Sequence, residues 1–133
     1  MDDGTTAKQA LILFAHGARD PRWAEPLQRI QTLVAAQVGS NIGVYQAFLE
    51  LMKPGLPELM EQLMQDQVTA VTIVPIFLGQ GAHVRSDLPK LVGEMELAYP
   101  QVRFSLATAI GESEQVLIAI ANVCRHSLVQ HEA

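Results

Sequence analysis

Two histidines and a glutamate are the residues whose types and positions could do chemistry together. His16 stands in "LILFAHGARD" (Leu11–Asp20), where apolar residues run straight into an imidazole; Glu50 stands in "AFLELMKPG" and His83 in "FLGQGAHVRSD". Imidazole and carboxylate together suit borderline divalent ions such as cobalt, nickel, zinc or iron. Imidazole also accepts a proton near neutral pH. A set of only two or three ligands leaves coordination positions open, as a site that passes a metal on or uses it in catalysis requires. Gly17 directly follows His16, and Gly79 and Gly81 bracket Gln80 just before His83. Glycine lets the backbone approach a ligand closely and adopt positive φ. An isolated histidine at a strand end is more often structural than catalytic, so the functional reading rests on the three groups arriving together.

They can meet only if the elements that carry them end on one edge. Four apolar runs read as strands: Leu11–Ala15, Gly43–Leu49, Ala70–Leu78 and Val102–Ala107. Between and after them the helical period appears. Leu27, Ile30, Val34 and Val38 share one face behind Pro26, which suits a first helical turn. Leu56, Leu59, Met60, Leu63 and Met64 form a second stripe, and Leu88, Leu91, Val92 and Met95 a third. The last stripe runs through Leu117, Ile120, Ala121, Cys124 and Leu128, with Ser113 as N-cap. The methionines fit these stripes as core filler. Strand alternating with helix predicts an α/β fold, a mostly parallel four-stranded sheet with helices on both faces. The first and third strands are apolar on both sides and belong in the centre. The mixed second and alternating fourth belong at the edges, which predicts the order 2-1-3-4. Pro75 inside the third run removes a ladder donor and fits a bulge or the strand's last pairing. In such sheets ligands bind beyond the carboxyl ends of the strands, at the switch point between the first and third. His16, Glu50 and His83 all leave strands on that edge.

Length and composition bound the rest. The 133 residues, 49% hydrophobic, suffice for one domain with a real core. We expect a flexible terminus over 1–9 and a single domain over 10–130. The net charge of −5 and the absence of a basic run argue against a nucleic-acid partner. No apolar run is long enough to span a bilayer and the start does not read as a signal peptide, so a cytoplasmic protein with no membrane partner is expected. The single Cys124 excludes an internal disulfide or a multi-cysteine metal site within one chain, and it reads as a small hydrophobe on a helix face. His126 and His131 read as surface or helix-end charges. Arg19, Arg22, Lys53, Arg85 and Lys90 fall near the segments of the site, a local cationic patch in an acidic chain.

The motifs "FAHGARDP" (Phe14–Pro21), "FLELMKP" (Phe48–Pro54) and "PIFLGQGAHVRSDLP" (Pro75–Pro89) resemble those of the small single-domain sirohydrochlorin cobaltochelatases, relatives of the sirohydrochlorin ferrochelatases and nickelochelatases. "AIGESEQV" (Ala109–Val116) sits where that family approaches its last helix, and the resemblance covers most of the chain from Leu11 onward. It implies a class II chelatase-like fold that inserts a divalent metal, most simply cobalt with nickel or iron as alternatives, into a tetrapyrrole without ATP. By that resemblance His16 and His83 bind the incoming metal and accept pyrrole protons, with Glu50 assisting either role. Arg19, Gly17, Gly81 and Arg85 would bind the carboxylate-rich macrocycle. The metal would be a substrate, with no cofactor permanently bound. Longer relatives carry two copies of the domain facing each other, so the resemblance implies a homodimer with the tetrapyrrole near its interface.

Rival enzymes fare worse on the residues. Histidine phosphohydrolases need arginine directly before the histidine, and Ala15 stands there. No G-x-S-x-G occurs, and "GQGAHV" lacks the last glycine of a dinucleotide loop. A non-catalytic metal or tetrapyrrole carrier would use the same pocket residues and is separated from a chelatase by turnover.

Overall fold

The structure, a computed structural model, describes residues 8–130. Strands β1 (Lys8–Ala15), β2 (Ile42–Phe48), β3 (Val68–Pro75) and β4 (Arg103–Leu106) alternate with helices α1 (Glu25–Ala35), α2 (Leu56–Gln65), α3 (Ala82–Ala98) and α4 (Glu114–Gln130). All strand pairs are parallel, and the order is β2-β1-β3-β4. The α/β class, the order and the edge positions of β2 and β4 are those expected from the patterning.

Register assigns each side chain to a face. Leu11 and Leu13 align with Val44 and Gln46 on one side and with Thr72 and Val74 on the other. The alternate residues Ile12 and Phe14 align with Ile73 and Pro75. This second face carries the main core. Ile12 and Ile73 have no exposed surface, and Leu56, Leu59, Met60 and Leu63 of α2 with Leu88, Val92 and Met95 of α3 close over it. Each such side chain contributes about 1.5–3 kcal/mol by leaving water. Met60 and Met95 are core residues, as their stripes predict. On the first face α1 lies over β2, burying Leu27 against Leu13, Ala15 and Phe48. Gln31 of α1 bridges to the edge strand by donating to the Val44 carbonyl at 2.7 Å.

Most strand boundaries shift by one to three residues, among them the end of β3 and the start of β1, and the end of α1 shifts as well. β3 stops at Pro75 rather than Leu78: Pro75 is its last residue, paired with Phe14, so its missing N–H interrupts no inner ladder bond. The next residue resumes the bonding, Ile76 N–H donating to the Phe14 carbonyl at 2.7 Å. β1 begins at Lys8, inside the stretch expected to be a free terminus, because Lys8 and Gln9 pair with β3; residues 1–7 of that stretch lie outside the described residues. Val38 lies beyond the end of α1.

The larger departure is α4. Its apolar stripe is helical, with the Ser113 carbonyl accepting from Leu117 N–H at 3.0 Å at the helix start. The stripe is not buried, however. Leu117, Ile120, Cys124 and Leu128 are all exposed, and α4 packs chiefly on the short 3-10 turn Ile110–Glu112. Periodicity reports that a helix has an apolar face but not what covers it. His126 is on this exposed helix, and His131 lies outside the described residues.

Candidate functional site at the carboxyl edge of the sheet

The ladder between β1 and β2 continues past the strand ends. Leu49 N–H donates to the Ala15 carbonyl at 2.9 Å and Glu50 N–H to the His16 carbonyl at 3.0 Å. His16 and Glu50 are therefore fixed side by side by their backbones. Beyond Glu50 the chain turns sharply: Met52 N–H donates to the Glu50 carbonyl at 2.8 Å, and Leu51 between them has φ 68°. A three-residue hydrogen bond around a positive-φ residue is the rarer, strained kind of γ-turn. A cis Lys53–Pro54 peptide follows, and the Pro54 carbonyl accepts from Phe48 N–H at 2.9 Å, returning the loop to its strand.

Gly17 makes this closeness possible. Its φ is +96°, and a Cβ there would overlap the Glu50 carbonyl oxygen. The other glycines of the motif behave differently. Gly79 and Gly81 have open space where a Cβ would stand, and Gly81 (φ −70°) precedes the first turn of α3 in extended backbone. Close approach of the backbone thus requires glycine at Gly17 and not at Gly79 or Gly81. Gly111, which the sequence reading passed over, is as constrained as Gly17: its N–H donates to the Phe77 carbonyl at 2.8 Å, and a Cβ would overlap the Leu78 carbonyl.

The His16 imidazole is half-buried and lies 4.4 Å from the ring of Phe77 at an interplanar angle of 37°. Phe77 is itself buried and meets Phe14 edge-on at 6.0 Å. The β3 exit thus forms an aromatic wall against which the β1 histidine rests. Phe77 was not singled out from sequence, where an aromatic two residues after a strand proline looks like ordinary core. His83 opens α3 and is exposed, as are Arg85 beside it, Arg19 after β1, and Glu50. No hydrogen bond or ring contact joins His83 to His16 or Glu50, and among the described residues no three His, Cys, Asp or Glu side chains gather to hold a metal. The site is an open edge: His16 and Glu50 on one side, His83 and Arg85 at the head of α3 on the other. Such an arrangement offers imidazoles to a bulky ligand and does not sequester an ion by itself.

Arg22 has a local role. Its guanidinium lies 2.8 Å from the Asp20 carboxylate, and Asp20 also accepts from the Arg22 N–H at 2.9 Å, capping the 3-10 turn Pro21–Ala24. The Arg22 side-chain bond, followed by that backbone bond, holds the Asp20 carboxyl below its ordinary 3.8. A lowered folded-state pKa means the pair supports the turn above the unfolded carboxyl's value and stops doing so as pH falls through the folded one. NMR titration should give Asp20 a midpoint under 3.8 in the native chain, moving back toward 3.8 in Arg22→Gln.

Comparison with known proteins places the chain among its relatives. A sirohydrochlorin cobaltochelatase of Methanopyrus kandleri is 31% identical over 84 residues, covering 63% of this chain and 58% of that one. A sirohydrochlorin ferrochelatase of Bacillus subtilis is 28% identical over 114 residues, 85% of this chain and 43% of that one. The chain therefore spans about half the length of these curated relatives. The crystal structure of a Marinobacter aquaeolei protein, whose name assigns it to cobalamin (vitamin B12) biosynthesis as a CbiX protein, superposes with a TM-score of 0.80 at 30% identity, covering 92% of this chain and 98% of that one. The CbiX family model matches residues 10–127, from β1 well into α4, so the chain belongs to the CbiX family.

Proposed function

We propose that this protein is a sirohydrochlorin chelatase, inserting a divalent metal, cobalt first, into sirohydrochlorin without ATP. The observation that carries the reading is the half-buried His16, anchored beside Glu50 and stacked on Phe77 at the sheet's open carboxyl edge, in a chain of the CbiX family. Relatives named for cobalt and for iron are similarly distant, so metal preference rests on cobalt being named in the first of them.

Insertion requires a metal partly stripped of water, a macrocycle held in place, and acceptors for the pyrrole N–H protons. His16 and His83 serve as metal donors and proton acceptors, the neutral imidazole being suited to both near neutral pH. Glu50 supplies a carboxylate beside His16 for the metal or the released proton. Arg19 and Arg85, exposed on either side of the edge, meet substrate carboxylates in charge-assisted hydrogen bonds. Gly17 keeps the backbone low where the macrocycle lies, and Gly81, with open space where a Cβ would stand, leaves room for it ahead of His83. Two chains act together as a homodimer in the cytoplasm, and the metal is a substrate, with no resident cofactor.

Anaerobic spectrophotometry tests this, with sirohydrochlorin and cobalt, nickel or ferrous ion supplied separately. The expected result is many turnovers per site above the spontaneous rate, fastest with cobalt. A spectral change that stops at one equivalent per site identifies a carrier, and no change with any of the metals overturns the reading.

A further inference from the structure

Outside the α-helices, large apolar side chains are exposed at four positions: Trp23 in the 3-10 turn after β1, Leu49 (41%) and Leu51 (58%) after β2, and Leu78 (70%) after β3. All four follow strands at the carboxyl edge. Among the described residues the connections at the opposite edge expose none. Leu49 and Leu51 flank Glu50, whose N–H donates to the His16 carbonyl, and Leu78 follows Phe77, on whose ring the His16 imidazole rests. Each of the three leucines is thus one residue from a group fixed against His16.

Leu51 is unusual in a second way. Among the described residues two besides glycine have positive φ, Leu51 at 68° and Gln67 at 63°. Gln67 follows the cap of α2 and its N–H donates to the Met64 carbonyl at 3.1 Å, the ordinary left-handed end of a helix. Leu51 ends no helix. Hydrogen bonds on both sides hold it, Glu50 N–H to the His16 carbonyl and Met52 N–H to the Glu50 carbonyl. The left-handed region crowds a Cβ against the backbone, and glycine or asparagine takes it more readily. Leucine here neither suits the backbone nor fills the core, since more than half of it meets solvent. Strain held in place by its surroundings marks functional positions, and an exposed apolar patch beside a few polar groups marks a ligand surface.

We propose that Leu51, flanked by Leu49 and Leu78, is the apolar seat for the flat face of the tetrapyrrole beside His16. This role rests on the chelatase reading above and adds which part of the substrate the turn after β2 holds. A carboxylate-rich tetrapyrrole is charged at its rim and apolar over its ring. Cations such as Arg19 and Arg85 hold the rim but leave the tilt of the ring free. Leucines against the face remove that freedom and displace water from the ring. Contacts to the rim weaken as salt screens them, whereas the apolar contact does not.

Titration with metal-free sirohydrochlorin, alongside rates of cobalt insertion, light scattering and thermal unfolding, tests the seat. Leu51→Asn removes the apolar group and accepts the left-handed conformation, so its melting temperature should equal or exceed the native one while binding weakens roughly tenfold. The ring is gripped before and during insertion alike, so KM should rise with kcat unchanged, unlike the loss expected at His16. Leu51→Met should recover most of the binding, and Leu97→Asn, at an exposed leucine near the far end of α3, should change nothing. Leu78→Asn should weaken binding by a similar factor, and it carries the test if Leu51→Asn does not fold. Native binding in Leu51→Asn, or equal losses in Leu51→Asn and Leu51→Met, overturns the seat and leaves the chelatase reading standing. A lower melting temperature or a smaller assembly mass in Leu51→Asn also overturns it, because Leu51 would then be a packing residue. A native chain that binds no sirohydrochlorin overturns both.

Discussion

His16→Ala is expected to bring metal insertion down by about 10²–10⁴-fold, the range lost when a positioned acid–base group is removed, while the protein stays folded. The ring is half-buried and its main partner is Phe77 at 4.4 Å, so losing the stack costs about 0.5–1.5 kcal/mol. That is a modest share of the stability of a domain this size. His83→Ala should lose insertion to a similar degree with still less effect on stability, because His83 is exposed on the first turn of α3. Initial rates with sirohydrochlorin and cobalt, alongside thermal unfolding, give both quantities. Full activity in both variants would sink the assignment of the site. Phe77→Leu separates position from chemistry: it leaves both histidines in place but frees the His16 ring, and a smaller loss of rate than in His16→Ala marks Phe77 as a positioning residue.

Gly17→Ala should lower the melting temperature by roughly 10 °C, corresponding to about 3 kcal/mol. Two costs combine. At φ +96° an L side chain is strained, and the added Cβ would overlap the Glu50 carbonyl oxygen, which itself accepts from Met52 N–H. Relief requires the 16–20 and 48–54 loops to separate, which breaks the Glu50–His16 backbone bond and moves both groups of the site. Gly81→Ala is the control. It meets open space at φ −70° and should cost less than about 1 kcal/mol, the loss of a tolerated N-cap. Calorimetry of the two variants compares them directly, and equal melting points would contradict the geometry of the 16–20 loop.

The sheet was legible because its signals are local. Apolar runs on both sides mark central strands, alternation marks edges, and Pro75 marks a last pairing; these patterns alone yield β2-β1-β3-β4. His16, Glu50 and His83 were legible as groups leaving strands on one edge, since parallel strands all end there. The separation between them was not, because it depends on how the 76–81 connection enters α3, and that places His83 in the open instead of against His16 and Glu50.

Residue types and spacing determined the fold class, the strand order, the core stripes of α2 and α3, and the sheet edge at which His16, Glu50 and His83 leave their strands. Only the tertiary structure decided that Arg22 is engaged by Asp20, that Gly17 and Gly111 are needed where Gly81 is not, that Phe77 backs His16, and that the apolar face of α4 is left exposed among the described residues. The physical reason is common to all four. Periodicity and propensity act over a few residues, whereas each of these facts is a meeting of surfaces, and where surfaces meet is set by how the rest of the chain packs.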